Sequence, residues 1–186
     1  DFPEENKVKY NPGYGPAKGP NFQQTYEMIE RFLKLGGGVM VNLIQHRNRP
    51  QLYDSVQKLL GKWGASRPMQ TVDLPQHQYV LHPRLRHQFQ FYFTDNVQPS
   101  PVSQDVKGVW YPQNQMWCTG GPITVDKDWT VVLRAPHGSV TKPLAFPQKR
   151  IHADDDQRIK ESQERVKEPA LYAIREFGGG RLALFH

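Results

Sequence analysis

Apolar positions recur along this chain in two periods, and two triple-glycine joints divide them. Over 22–35 a 3.6-residue repeat places Tyr26, Ile29, Phe32 and Leu33 on one helix face, with Glu27, Glu30, Arg31 and Lys34 mostly outside it. Asn21 is the expected N-cap. Gly36 ends the helix, because glycine reaches positive φ without a steric penalty. The apolar run 39–44 after Gly36-Gly37-Gly38 reads as a strand buried on both faces of a sheet. The C-terminus repeats the arrangement, with Gly178-Gly179-Gly180 between an apolar-periodic segment and Leu182, Ala183, Leu184 and Phe185. Pro169 and the shortness of 171–174 make that second joint a strand-glycine-strand turn.

Between the joints the pattern predicts a second helix over 51–63, with Leu52, Val56, Leu59 and Leu60 inward and Trp63 closing it. A short strand is expected over 71–74, and 75–88 reads as a loop holding His77, His82 and His87. The stretch 88–94 alternates, with Phe89, Phe91 and Phe93 on one side and Gln90 and Tyr92 on the other, as in a half-buried strand. Short strands are expected at 109–111, 116–118 and 123–125, and a buried one at 129–134. Residues 135–170 form a long polar stretch, and residues 1–20 a Pro/Gly-rich extended arm. The organisation expected is therefore an arm, 1–20, followed by one domain, 21–186. The abrupt end on a strand, and the lack of a strand before the first helix, fit a fragment of a longer protein.

Composition narrows the function classes. At 186 residues there is enough chain for one core, and 37% hydrophobic residues with a mean hydropathy of −0.71 give a wet, loop-rich surface. No apolar run approaches the roughly 20 residues that span a bilayer. A net charge of +6 favours anionic partners, but the Lys and Arg residues are scattered, which disfavours a nucleic-acid role. One cysteine, Cys118, excludes an internal disulfide framework and a Cys-rich zinc site. The compartment stays open; Asp1 as a processed start would place the protein outside the cytoplasm.

The order of motifs resembles the class I glutamine amidotransferase-like superfamily in its non-amidotransferase branches. These include trehalose-utilisation-type domains, related uncharacterised bacterial domains and the N-terminal domain of an intraflagellar transport protein. The matching stretches are 29–41, a helix leading into Gly36-Gly37-Gly38 and a hydrophobic run; Leu59-Leu60-Gly61-Lys62-Trp63-Gly64; His82-Pro83; 129–134; and 177–184. The resemblance covers about 22–186 and implies an α/β fold, a flavodoxin-like three-layer sandwich with a mostly parallel central sheet and long loops. The catalytic signature of true amidotransferases does not carry over. Cys118 sits in Met116-Trp117-Cys118-Thr119-Gly120-Gly121-Pro122, which does not make a strand feeding a helix, and no His-x-Glu follows.

Other chemistry is sparse. His77, His82 and His87 are five apart, which suits neither a helical metal pair nor one face of a strand, and the acidic run 154–156 lacks the Gly and Glu of a calcium loop. No metal or cofactor is expected. The polar loop after the first strand lies at a strand end, where ligands of open parallel sheets sit, so His46, Arg47, His82 and His137 are the candidate pocket. Tyr10, Tyr14, Trp110 and Trp117 are candidate partner contacts, because aromatic rings with a polar edge suit interfaces. Trp129 reads as core. The reading is a non-catalytic protein-binding or scaffold domain that docks to a larger assembly through the arm 1–20 and the long polar stretch 135–170. The alternative is a sugar-binding or hydrolytic domain of the trehalose-utilisation kind, using the His/Arg pocket.

Overall fold

A computed structural model describes residues 22–43, 45–46, 50–74, 79–81, 89–115, 118–119, 121–143 and 164–185. Among these, two helices are seen, α1 (Phe22–Lys34) and α2 (Pro50–Gly61). The strands are β1 (Gly38–Asn42), β2 (Gln45–His46), β3 (Ala65–Ser66), β4 (Gln70–Asp73), β5 (Tyr79–Leu81), β6 (Phe89–Thr94) and β7 (Val109–Gln115). They continue with β8 (Cys118–Thr119), β9 (Thr124–Val125), β10 (Thr130–Arg134), β11 (Val140–Pro143), β12 (Ala170–Phe177) and β13 (Gly180–Phe185).

The helix-to-strand joint forms as the glycines require. Gly36 takes φ 84°, and the N–H groups of Gly36 and Gly37 donate to the carbonyls of Leu33 (2.9 Å) and Phe32 (3.0 Å), which closes α1. Leu33 is buried, and Tyr26 and Ile29 pack beside it. Phe32, expected on that same face, is exposed instead. At the second joint Gly178 and Gly179 both take positive φ, and β12 and β13 pair antiparallel across them from Phe177↔Gly180 to Tyr172↔Phe185.

The central sheet has the order β1-β13-β12-β10. Only β1 and β13 are parallel; β12 runs antiparallel to both β13 and β10. One face is covered by the helices. Leu33, Leu60 and Trp63 pack there against Trp129, Ala173, Leu182 and Leu184. Trp129 Nε1 donates to the Trp63 carbonyl at 2.7 Å, and Arg175 Nη1 donates to the same oxygen at 2.7 Å. The other face is covered by a second, antiparallel sheet of order β2-β8-β7-β6-β5. Tyr92 and Tyr111 stack at 5.5 Å and meet Leu133, Leu171 and Phe185, with the Phe185 ring edge-on to Tyr111 at 5.3 Å. Each large buried side chain contributes about 1.5–3 kcal/mol, so both faces of the central sheet hold it in place. Two small ladders, β4–β11 and β3–β9, complete the described strands.

This architecture corrects the expected flavodoxin-like, mostly parallel sandwich, and with it the amidotransferase-like fold that the motif order implied. Strand far outweighs helix in the described chain, with the described helices against one face of the central sheet and a β-sheet against the other. The physical reason lies in the connections. Parallel neighbours need long crossovers, usually helical, whereas short connections pair strands antiparallel. Both described helices precede Gly64; later described strands pair as hairpins such as β7–β8 and β12–β13.

Two further expectations change. β1 is an edge strand rather than a strand buried on both faces, and Met40 at its centre is 71% exposed. β6 buries its Tyr92 side and exposes Phe93. Strands also occur where loops were expected, β5 within 75–88 and β11 within 135–170.

Candidate functional site

The most distinctive described surface is the outer side of the β6–β7 pair. Side chains alternate across a strand, so neighbouring cross-strand pairs point to opposite faces. Tyr92↔Tyr111 points into the core, and the next pair, Phe93↔Trp110, points out. Phe93 is 45% exposed and Trp110 57%. Their ring centroids are 5.5 Å apart with planes at 61°, an edge-to-face pair. The same outer side carries Phe91 opposite Pro112, both half-buried. Pro112 is tolerated inside the sheet because a register shift between Gln90 and Phe91 relieves the ladder there. Gly108 lies directly beneath the Phe93 ring, and any side chain at 108 would collide with it. An antiparallel sheet normally shows water a polar outer face, and here the outer face of this pair is Phe91, Phe93, Trp110 and Pro112.

A separate polar knot joins the turn after β10 to the entry of β12. The Glu168 carboxylate bonds His137 Nδ1 at 3.1 Å, accepts from Gly138 N–H at 3.4 Å and from Asn96 Nδ2 at 3.2 Å. Asn96, which is buried, also donates to the Ala135 carbonyl at 3.0 Å. Glu168 N–H donates to the Ser139 carbonyl at 3.0 Å, and Arg134 Nη1 donates to the Glu168 carbonyl at 3.3 Å. Glu168 holds φ 46°, the only positive φ outside glycine among the described residues. The hydrogen bond from His137, then that from Gly138 N–H, hold the Glu168 carboxyl below its ordinary range. A carboxylate on Nδ1 is how a histidine is oriented in serine hydrolases. The neighbouring hydroxyl does not complete such a set: Ser139 Oγ is buried and makes no hydrogen bond, so it is not bonded to His137. The knot fastens two chain segments.

Of the predicted pocket, only the His137 side chain is described, and Glu168 engages it. His46 lies in β2 with its side chain outside the described set, and Arg47 and His82 lie outside the described residues. Of the predicted partner contacts, Trp110 is exposed on the outer sheet face, while Tyr10, Tyr14 and Trp117 lie outside the described residues. Cys118 lies in β8, antiparallel to both β2 and β7. Trp129 is core, as expected. Phe93 was not singled out from the sequence, because alternation alone does not say which side of a strand with apolar residues on both sides faces inward. The sequence reading also missed the exposed apolar stripe of Met28 and Phe32 on α1 and Leu35 directly after it. The spacing of four and three that unites them was visible in the sequence. No group of three or more metal-ligating side chains occurs among the described residues. No described helix is long and apolar enough to cross a membrane.

No family model matches the sequence, and no curated protein matches it. Among solved structures, the fold is similar to one titled "mmIFT52 N-terminal domain", with a TM-score of 0.50 at 16% identity. The match covers 87% of this chain and 58% of that one, so this chain spans little more than half of that structure. At that identity the likeness is one of fold alone.

Proposed function

We propose that this chain is a non-catalytic protein-binding domain that docks to a larger assembly through the outer face of the β6–β7 pair. The observation that supports it is the exposed Phe93–Trp110 pair, continued by Phe91 and Pro112. Rings of this kind bury about 150–250 Å² each, and partly exposed aromatics of this size are the usual anchors of interfaces. A standard interface buries about 800 Å² per partner, so these residues would form its centre, with a polar rim around them. The edge-to-face geometry favours a protein surface over a sugar, since planes at 61° give no flat two-ring platform for a sugar to stack on. Binding is preferred to catalysis because the open surface is apolar and the described His137–Glu168 pair is committed to holding two segments together. The likeness to the mmIFT52 N-terminal domain supports the reading only as far as a shared fold can.

The test is site-directed photocrosslinking in extract of the source. A benzophenone side chain replaces Trp110 in one sample and the exposed Lys127 in another. Discrete protein adducts from position 110, absent from position 127, are expected. Equal adducts from both positions, or none from 110, would overturn the reading.

A further inference from the structure

A second surface lies at one margin of the central sheet. β1 is its marginal strand. Gly37 O accepts from Arg181 N–H at 3.0 Å, and Leu43 N–H donates to Phe185 O at 2.8 Å. Main-chain groups alternate sides along a strand, so the odd residues 37–43 face β13. Gly38, Met40 and Asn42 therefore turn their N–H and C=O groups outward, and all three residues are exposed. No described strand pairs with that side.

The edge is flanked on both faces of the sheet. On the helix face, a side chain at Gly180 would strike Leu33 O at 2.6 Å and Leu33 Cα at 2.8 Å, so Leu33 sits over β13. A side chain at Gly37 would strike the Phe32 ring, so Phe32 sits over the entry to β1. Phe32 thus flanks the start of the open side on this face, and Met28 and Leu35, four residues before and three after it, are exposed beside it. On the opposite face lie Met40 and, across from Gly38, Arg181. Natural edges are guarded by lysine, proline or a bulge. β1 reads Gly-Val-Met-Val-Asn and pairs with β13 without a register shift.

We propose that the open edge of β1 is a strand-addition site for an extended segment of a partner protein, acidic and with apolar residues at alternate positions. Main-chain bonds to Gly38, Met40 and Asn42 would supply affinity, and alternate side chains would meet Phe32 with Leu35 on one face and Met40 on the other. Charge selects the partner. Arg31 on α1, three residues after Met28 and four before Leu35, and Arg181, beside Gly38, are exposed and make no ion pair among the described residues. Lys34 is shared with Glu30 at 4.0 Å, and Glu176 lies across from Arg181 on the side away from β1. A second copy of the chain would bring +6 against +6, whereas an acidic strand neutralises the two arginines. The site is independent of the aromatic face and stands if that face proves unoccupied.

The probe is a blocked peptide alternating valine and glutamate, long enough to pair with the five residues of β1. Its controls are the valine–lysine peptide and the valine–glutamate peptide with alternate amides N-methylated. Binding to the full chain is read by fluorescence anisotropy, and amide hydrogen exchange is read at Gly38, Met40 and Asn42. The acidic peptide is expected to bind and to slow exchange at these three amides, while both controls bind at least about tenfold more weakly. Met40→Pro removes one outward N–H without breaking a bond to β13, and about tenfold weaker binding is expected. Equal binding of either control, or unchanged exchange at the three amides, would overturn the proposal. Slowed exchange that follows protein concentration without peptide would overturn it in favour of a second copy.

Discussion

Adding one methyl group at Gly180 should unseat α1 from the central sheet. Gly180 opens β13, directly beneath the end of α1. A Cβ there would meet Leu33 O at 2.6 Å, Leu33 Cα at 2.8 Å and the Gly37 carbonyl oxygen. All three are main-chain atoms, and none swings away as a side chain would. The Gly37 oxygen is already held by Arg181 N–H, so relief requires moving the helix end or breaking that bond. Overpacking of this kind costs about 1–3 kcal/mol, and the lack of a yielding neighbour puts Gly180→Ala near 3 kcal/mol, at the upper end. For a chain of this size that is a fall in Tm of about 6–12 °C. The control is Gly38→Ala, in the other triple glycine and across from Arg181, where a Cβ meets nothing within 4 Å. It should stay within about 0.5 kcal/mol of the parent. Urea unfolding, fitted with a common slope, measures both. A Gly180→Ala midpoint equal to that of Gly38→Ala would refute the placement of Leu33 over β13.

Other expectations follow from single contacts. Arg175→Met should destabilise by about 1.5–3 kcal/mol, because it removes a charged donor from the Trp63 carbonyl. Asp128→Asn, which touches only the half-exposed ion pair at 2.8 Å, should cost about 1 kcal/mol or less. Equal losses in urea unfolding would show that the ion pair, not the carbonyl contact, matters. Glu168 sets a pH dependence. Its carboxyl binds protons more weakly in the folded chain than in the unfolded one, chiefly through the hydrogen bond from His137. The stability it adds is therefore present above its ordinary value of 4.5 and is lost as the pH falls through the lower folded value. Glu168→Gln should flatten the acid limb of a plot of urea midpoint against pH, and parallel limbs for the two proteins would contradict this.

Local features of this fold were legible in the sequence, and non-local ones were not. The first helix, the glycine joint after it and the C-terminal hairpin follow from short-range periodicity and from glycine's access to positive φ. Strand partners do not. The run after Gly38 was apolar enough for a central strand, yet among the described residues it pairs on one side only, with a strand more than a hundred residues away. Parallel pairing at that one joint suggested a parallel sheet, while β12 and β10 add antiparallel. The candidate site was half legible. Trp110 was singled out for its ring chemistry and proved exposed, but the side of β6 that faces inward was left undecided. Alternation separates two faces without saying which is inside when both are apolar. Here the register decides it: Tyr92 lies opposite Tyr111 and stacks on it in the core, which turns Phe93 and Trp110 outward together.

The proposed function rests most directly on the aromatic face, and one comparison tests it. The wild-type chain and a Phe93→Ser, Trp110→Ala double variant are fractionated under native conditions from extract of the source, with folding of the variant verified by urea unfolding. The wild type is expected to migrate with a larger assembly and the variant as a free small protein. Migration of the wild type alone, or co-migration of both forms with the same assembly, would contradict docking through this face.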